Sequence, residues 1–126
     1  MIKVTAFAYT CYPVTDLARA RNYYEKLLGL NPASVMEQEG GRGWIEYELG
    51  DGCLAIANGF GDEWKPGAQG PAMVLEVADL TAATAELKAA GVKFKFEPME
   101  FPPCHLAVAF DPDGNQIGLH QTKKPS

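Results

Sequence analysis

The feature that most constrains this chain is a sequence repeat at an offset of 63 residues. The segment Val-Thr-Asp-Leu at 14–17 recurs as Val-Ala-Asp-Leu at 77–80. In each copy the aspartate stands at the predicted start of a helix, where its carboxylate can accept hydrogen bonds from the free amides of the first turn. Both helices are predicted to end at a glycine, Gly29 and Gly91, because glycine readily adopts the left-handed conformation of a C-terminal cap. The repeat therefore predicts two copies of one structural unit.

Each predicted helix has one strand before it and three short strands after it. The predicted strands lie at 2–12, 33–38, 43–49 and 53–58 in the first copy, and at 71–78, 93–97, 104–110 and 115–121 in the second. Residues 59–70 hold four glycines and one proline and are predicted to be a linker. The pattern predicts an α+β fold in a single domain over 1–126, with βαβββ module 1 at 1–58 and βαβββ module 2 at 71–126. An unrelated α+β protein with two amphipathic helices is the alternative.

Composition excludes several classes of protein. Hydrophobic residues make up 47% of the chain and charged residues 21%, which is ordinary for a globular domain. The longest apolar runs are only a few residues, so no membrane span is predicted. The three cysteines show no C-x-x-C spacing, which favours free thiols in a reducing, cytoplasmic compartment. A net charge of −5 argues against a nucleic-acid partner and mildly favours neutral or cationic small ligands.

Two longer segments carry a family resemblance. The first runs from Tyr9 through Val-Thr-Asp-Leu-Ala-Arg-Ala-Arg-Asn-Tyr-Tyr-Glu-Lys-Leu-Leu-Gly-Leu at 14–30, and the second is Asp-Pro-Asp-Gly-Asn-Gln-Ile-Gly-Leu at 111–119. The chain resembles the vicinal oxygen chelate superfamily of glyoxalases, bleomycin resistance proteins and extradiol dioxygenases. The resemblance implies that the two modules form a curled eight-stranded mixed sheet, a cup with both helices outside. It also implies a homodimer, since such proteins commonly place a module of one chain beside a module of another.

The resemblance also implies a place for a metal ion. Enzymes of this superfamily usually hold a divalent metal in the cup, with ligands from the first and last strands of each module. The corresponding positions in this chain are Tyr9, Ala55, Ala72 and Gly118. Three of them have no donor atom, and a neutral phenol is a poor ligand for a divalent ion. The sequence therefore predicts that the usual metal site is absent and that no cofactor is bound.

Strand alternation predicts which side chains face the cup. Leu106, Val108 and Phe110 are predicted to pack under the helix, as are Ile117 and Leu119. The opposite set combines small residues, aromatic walls and a few ionisable groups, which is typical of a small-molecule site. The predicted ligand-binding residues are Tyr9, Cys11, Trp44, Glu46, Ala55, Ala72, Glu76, His105, Gly118 and His120. The alternative is a shallow cup that the linker fills, with Trp64 as a plug.

Two functions fit this description. The first is a metal-independent protein that binds an aromatic or amphipathic small molecule in the cup, as its resemblance to bleomycin resistance proteins implies. The second is a glyoxalase-like lyase or isomerase, or a dioxygenase, that uses relocated metal ligands or a base chosen from His105, His120 and Glu76. Solvated histidines at strand ends are the simpler interpretation of the two imidazoles. Cys11 is a candidate nucleophile, although a lone buried thiol is more often a packing residue.

Overall fold

The fold is seen in a computed structural model, which describes Met1, Lys3, Thr5 and residues 7–59, 61–68 and 72–123. The chain divides into two compact units, Met1–Lys65 and Pro66–Ser126. Each unit holds a four-stranded mixed sheet and one main helical segment. This confirms the α+β fold of two βαβββ modules. The single-domain assignment and the union of the strands into one eight-stranded cup stay predictions.

Module 1 follows the predicted order of elements. Its elements are β1 (Thr10–Pro13), α1 (Leu17–Arg21), a π-helical continuation (Asn22–Leu27), β2 (Pro32–Glu37), β3 (Gly43–Leu49) and β4 (Gly52–Asn58). The sheet order is β1-β4-β3-β2, with β1 parallel to β4 and the other neighbours antiparallel. The first strand is shorter than the predicted 2–12, of which residues 2, 4 and 6 lie outside the described residues.

Module 2 repeats this arrangement. Its elements are β5 (Met73–Glu76), α2 (Leu80–Ala89), β6 (Phe94–Phe101), β7 (Cys104–Phe110) and β8 (Gln116–Thr122). The sheet order β5-β8-β7-β6 is equivalent to that of module 1, and β5 runs parallel to β8. Strand β6 extends four residues beyond the predicted end at 97, through two register irregularities opposite β7.

The predicted helix caps are confirmed. Asp16 Oδ1 accepts a hydrogen bond from the amide of Arg19 at 3.1 Å, and Asp79 Oδ1 accepts one from the amide of Ala82 at 3.0 Å. Beyond the helix ends, Gly29 and Gly91 have φ values of 72° and 84°, which only glycine adopts without strain. These local signals fix where each helix starts and stops.

The helix of module 1 buries only part of the stripe that a 3.6-residue period predicts, which is Leu17, Ala20, Tyr24, Leu27 and Leu28. Leu17, Ala20 and Tyr24 are buried as predicted, but Leu27 and Leu28 are only half-buried. The helix changes at Asn22 to i→i+5 hydrogen bonds, such as the 3.0 Å bond from the Leu28 amide to the Tyr23 carbonyl. The wider turn shifts the buried stripe, so that the adjacent residues Tyr23 and Tyr24 both enter the core.

Strand β7 is turned over relative to the prediction. Ala107 and Ala109 pair with Leu119 and Ile117, and all four are at most 2% exposed. Because directly paired residues share a face of the sheet, the alanines lie on the buried face, where α2 contacts β6, β7 and β8. The other face of β7 carries the residues that were predicted to lie under the helix, Leu106, Val108 and Phe110. The apolar stripe of the second helix predicts that Leu80 and Leu87 are buried, and their burial and that of Ile117 and Leu119 are confirmed.

Candidate functional site

The module 1 sheet buries its tyrosines and isoleucines on one face. We call the opposite face the open face of module 1. The alternation predicted for this sheet is confirmed by its register. The open-face residues form two rows across β1, β4 and β3: Cys11, Ala55 and Glu46, then Pro13, Ala57 and Trp44. Strand β2 extends these rows with Ser34 and Met36. The small side chains on the central strand β4 lie between larger side chains on its neighbours, and Ala55 and Ala57 are fully buried.

An aromatic pair stands over this face. The rings of Tyr9 and Trp44 meet edge to face, with centroids 5.3 Å apart and planes at 89°. Tyr9 lies just before β1 and Trp44 lies on β3, so their contact spans the fully buried Ala55 on β4. The indole Nε1 donates a 2.7 Å hydrogen bond to Glu46 Oε2, while Tyr9 is 52% exposed. The pair offers an accessible aromatic surface held by a defined polar contact.

Two free thiols lie on the same face. Burial raises the pKa of Cys11 to about 12, with smaller contributions from Cys53 and Glu46. Burial also raises the pKa of Cys53, assisted by the carboxylates of Glu46 and Glu48. A thiol with such a pKa is almost entirely protonated at neutral pH. Cys11 is therefore suited to packing and not to nucleophilic attack.

The linker returns to the end of β4. The indole Nε1 of Trp64 donates a 3.0 Å hydrogen bond to the carbonyl of Ala57. This contact reaches the edge of the open face, while Tyr9 stays exposed and Cys11 and Trp44 stay half-buried. The indole of Trp64 is therefore held next to Ala57.

The open face of module 2 is the face that carries Leu106 and Val108. Register pairs join Val108 to Gly118 and Leu106 to His120, and Val74 pairs with Gly118 on the other side. Val74 is 52% exposed and Leu106 and Val108 are half-buried. Ala72 lies just before β5 and is exposed. This surface is more apolar than predicted, because Leu106 and Val108 replace the alanines that were assigned to it.

His120 and Glu76 are the ionisable residues of this face that the structure brings together. His120 Nδ1 lies 2.6 Å from Glu76 Oε1, and Glu76 Oε2 accepts a 2.8 Å hydrogen bond from the amide of Thr122. The Thr122 amide, followed by His120, lowers the pKa of the Glu76 carboxyl. Within the described part of the chain, the other imidazole nitrogen of His120 has no hydrogen-bond partner. The pair has the geometry of a base and the carboxylate that orients it.

His105 was predicted to face the cup, and this placement is wrong. It pairs with Gln121 on β8, so it lies on the opposite face of the sheet from Leu106 and His120. Its Nε2 lies 3.3 Å from Glu100 Oε2. The error has the same origin as the error for β7: both faces of this strand are apolar, so alternation alone does not say which one meets the helix.

The sequence-based prediction missed two residues of the open face of module 1, Arg42 and Met36. Arg42 comes two residues before Trp44 and lines a cavity of about 320 Å³ together with Met36, Trp44, Gln38 and Asn58. Alternation could have identified Arg42 from the sequence, because Arg42, Trp44 and Glu46 are spaced two residues apart and such residues share one face of an extended chain. Met36 was missed because its position depends on pairing between β2 and β3.

A family model for the Glyoxalase/Bleomycin resistance protein/Dioxygenase superfamily matches residues 6–119. The chain belongs to this superfamily. No curated protein matches the chain. No helix among the described residues is long and apolar enough to cross a membrane.

Solved structures of this superfamily cover nearly the whole chain. TnmS3, an antibiotic binding protein from Streptomyces sp. CB03234, is 25% identical with a TM-score of 0.79, over 98% of this chain and 100% of its own. A glyoxalase/bleomycin resistance protein from the same organism is 27% identical with a TM-score of 0.74, over 90% and 97%. The fosfomycin resistance protein FosX from Listeria monocytogenes is 12% identical with a TM-score of 0.75, over 96% of both chains, and this likeness shows the fold alone.

The residues present do not fit the metal site that is usual in enzymes of this superfamily. Register confirms that Ala55 and Gly118 are equivalent, since they pair with Cys11 and Val74 on equivalent strands. Neither has a donor atom, and a Cβ placed on Gly118 would lie 2.8 Å from Val74 Cγ2, so a glutamate there would displace Val74. No group of three histidine, cysteine or acidic side chains among the described residues is arranged to hold a metal ion.

Proposed function

We propose that this protein binds an aromatic or amphipathic small molecule without a metal ion, on the open faces of its sheets. The observation that carries the proposal is the edge-to-face pair of Tyr9 and Trp44 above the buried alanines of β4. An accessible aromatic wall over small residues, with a few polar groups at its margin, is the usual character of a small-molecule site. The similarity to an antibiotic binding protein supports the same class of function.

Calorimetric titration with a neutral aromatic probe, naphthalene-2-carboxamide, tests the proposal. Trp44→Ala is expected to weaken binding about tenfold or more, because it removes both the stacking surface and its buried area. Trp64→Phe is the matched control, since it changes the other tryptophan of the chain at a position beside the face. Equal affinities of the wild type and Trp44→Ala would refute binding at this face.

Metal independence has its own test. Wild-type binding of the same probe is expected to be unchanged after dialysis against EDTA, because the positions used by the metal enzymes carry no donor set in this chain. If EDTA abolished binding and a divalent ion restored it, the metal-free proposal would be wrong.

The contact between His120 and Glu76 favours a second candidate, a lyase or isomerase of the glyoxalase type. Glu76 would orient the imidazole, and the free nitrogen of His120 would take the proton from a hydroxyl-bearing carbon next to a carbonyl and return it to the carbonyl carbon, while the hydroxyl proton passes to the former carbonyl oxygen. The hemithioacetal of methylglyoxal and glutathione is a suitable probe substrate. Turnover that is lost in His120→Gln and reduced in Glu76→Gln would support this candidate, and its absence in the wild type would exclude this substrate.

We also propose a cytoplasmic homodimer that binds neither nucleic acid nor membranes. Each four-stranded sheet has two edge strands, β1 and β2 in module 1 and β5 and β6 in module 2, and exposed edges are normally covered. The net charge of −5 supports the absence of a nucleic-acid partner. Sedimentation at micromolar concentration is expected to give the dimer mass, and a monomer mass alone would rule the dimer out.

A further inference from the structure

Arg42 is held at one end of the open face of module 1. Its backbone is extended, with φ −85° and ψ 149°, and it directly precedes the register pair of Gly43 and Asn58. Arg42 therefore lies opposite Gly59, and a Cβ built on Gly59 would collide with Cγ and Cδ of the arginine. The aliphatic part of Arg42 thus crosses over Gly59, and Arg42 lines one cavity together with Trp44, which follows it by two residues.

The cavity beside Arg42 has apolar walls and a cationic margin. Met36 and Trp44 are register partners and form its apolar sides. Arg42 and Gln38 also line it with polar side chains, as does Asn58, whose amide is bonded to the backbone of Gly43 and Gly41. A volume of about 320 Å³ lies at the small end of the range for ligand pockets. It is suited to part of a small molecule, such as one substituted ring.

The guanidinium of Arg42 has no carboxylate partner in the described part of the chain. Its one hydrogen bond there is from Nη2 to Gln38 Oε1, at 3.0 Å. Arg21, in contrast, lies 2.6 Å from Glu25 and 3.6 Å from Glu37. Since a guanidinium presents five N–H donors in a planar fork, most of the donors of Arg42 are available to a bound molecule.

We infer that the ligand of module 1 carries an anionic group, such as a carboxylate, phosphate or sulfonate, and that Arg42 binds this group while Trp44 contacts the aromatic or apolar body. The inference rests on the proposed function and defines the chemistry of its ligand. Charge is ordered along this stretch of the chain: Arg42 precedes Trp44 by two residues, and Glu46, two residues after it, accepts the hydrogen bond of the indole. An amphipathic anion fits this order with its charged group toward Arg42 and its apolar body against Trp44.

The overall acidity of the chain opposes an anionic ligand, so the two effects must be weighed. The net charge of −5 is spread over the whole molecule, and charges more than about 8 Å away are largely screened at physiological ionic strength. A guanidinium in direct contact with a carboxylate forms charge-assisted hydrogen bonds, which are about twice as strong as neutral ones. The local contact therefore dominates at this end of the face.

A matched pair of probes tests the inference. Naphthalene-2-carboxylate and naphthalene-2-carboxamide have the same ring and nearly the same size, and only the first is charged. Calorimetric titration is expected to show tighter binding of the carboxylate by wild type. Arg42→Gln should weaken carboxylate binding about tenfold and change carboxamide binding less than about twofold, while Arg42→Lys should retain part of the preference because it keeps the charge without the planar fork.

Arg19→Gln is the control for net charge, because it removes one positive charge from helix α1 while the open face stays intact. It should leave the ratio of the two affinities nearly unchanged. Equal affinity of wild type for both probes, or an Arg42→Gln variant that weakens both alike, would overturn the inference while leaving the proposed binding function in place. Failure of both probes to bind wild type would overturn the proposed function and the inference with it. Urea midpoints equal to that of wild type verify that each variant is folded.

Discussion

Gly118 and Val74 allow a quantitative test of how the open face of module 2 is packed. A Cβ added at Gly118 would lie 2.8 Å from Val74 Cγ2 and 3.3 Å from both Val74 Cβ and Cγ1. Carbon atoms pack best at about 3.5–4.0 Å. Rotation of the valine side chain can move its two γ carbons, but its Cβ is fixed by the backbone. Gly118→Ala therefore requires strands β5 and β8 to separate by a few tenths of an ångström.

The expected cost follows from two opposing contributions. Extra atoms in a packed site cost about 1–3 kcal/mol, while replacing glycine by alanine gains about 0.4–1 kcal/mol because the unfolded chain loses freedom. Gly118→Ala should therefore lower the free energy of unfolding by about 1–2 kcal/mol. In a Val74→Ala background the two γ carbons are gone and only the 3.3 Å contact with Cβ remains, so the same change should cost about 1–2 kcal/mol less, which is the coupling energy between the two sites.

Urea denaturation followed by circular dichroism measures this cycle, with all four proteins at one concentration. If Gly118→Ala cost the same with alanine as with valine at position 74, the steric argument would be refuted. In module 1 the equivalent pair is Ala55 and Cys11, and cysteine has one γ atom where valine has two. The same contact explains why position 118 does not admit a metal-ligating side chain without rearrangement of Val74.

Three further outcomes are expected. Leu87→Ala should lower the free energy of unfolding by about 2–5 kcal/mol, measured by urea denaturation, because Leu87 is a buried residue of α2 that is only 3% exposed; a loss below about 1 kcal/mol would contradict the packing. Alkylation of Cys11 by iodoacetamide, followed by peptide mass spectrometry, should be slow at pH 7 and still accelerate above pH 9, since its pKa is about 12; a plateau near pH 9 would contradict this. Hydrogen bonds from Arg21, and to a smaller extent from Tyr47, lower the pKa of the Glu25 carboxyl. The ionised Glu25 therefore stabilises the fold at pH values above the ordinary glutamate pKa of 4.5. This stabilisation is lost as pH falls through the lowered pKa. Glu25→Gln should therefore be less stable than wild type at pH 7 and approach it below pH 4 in the same assay, and a constant difference across this range would refute the assignment.

Module 1 shows how far alternation can predict a face. Along β3 the polar and aromatic residues Trp44, Glu46 and Glu48 alternate with Ile45 and Tyr47. The two faces of this strand differ strongly in polarity, so only one assignment of the faces places Ile45 and Tyr47 in the core. The structure confirms this assignment. The aromatic pair with Tyr9 and the position of Arg42 required more, because they depend on which strands become neighbours.

Module 2 shows where alternation fails. On β7, Leu106 and Val108 alternate with Ala107 and Ala109, so both faces are apolar and size was a misleading guide. The register differs from that of module 1 as well, since Glu46 pairs with Ala55 while Val108 pairs with Gly118. Equivalent residues of the two modules are thus 63 positions apart in the last strand and 62 apart in the strand before it. Applying a single offset of 63 to both strands therefore assigns the side chains of one strand to the wrong face of the sheet.

The sequence by itself determined the two βαβββ modules, the starts and ends of both helices and the lack of metal donors at the usual positions. These depend on short-range chemistry: an aspartate bonds to an amide three residues away, and glycine adopts a positive φ wherever it stands. The tertiary structure alone decided that His120 meets Glu76 across 44 residues of chain, that His105 lies on the other face, and that Arg42 borders a cavity beside Trp44. Strand order and register create those contacts, and a one-residue change of register moves every side chain of a strand to the opposite face.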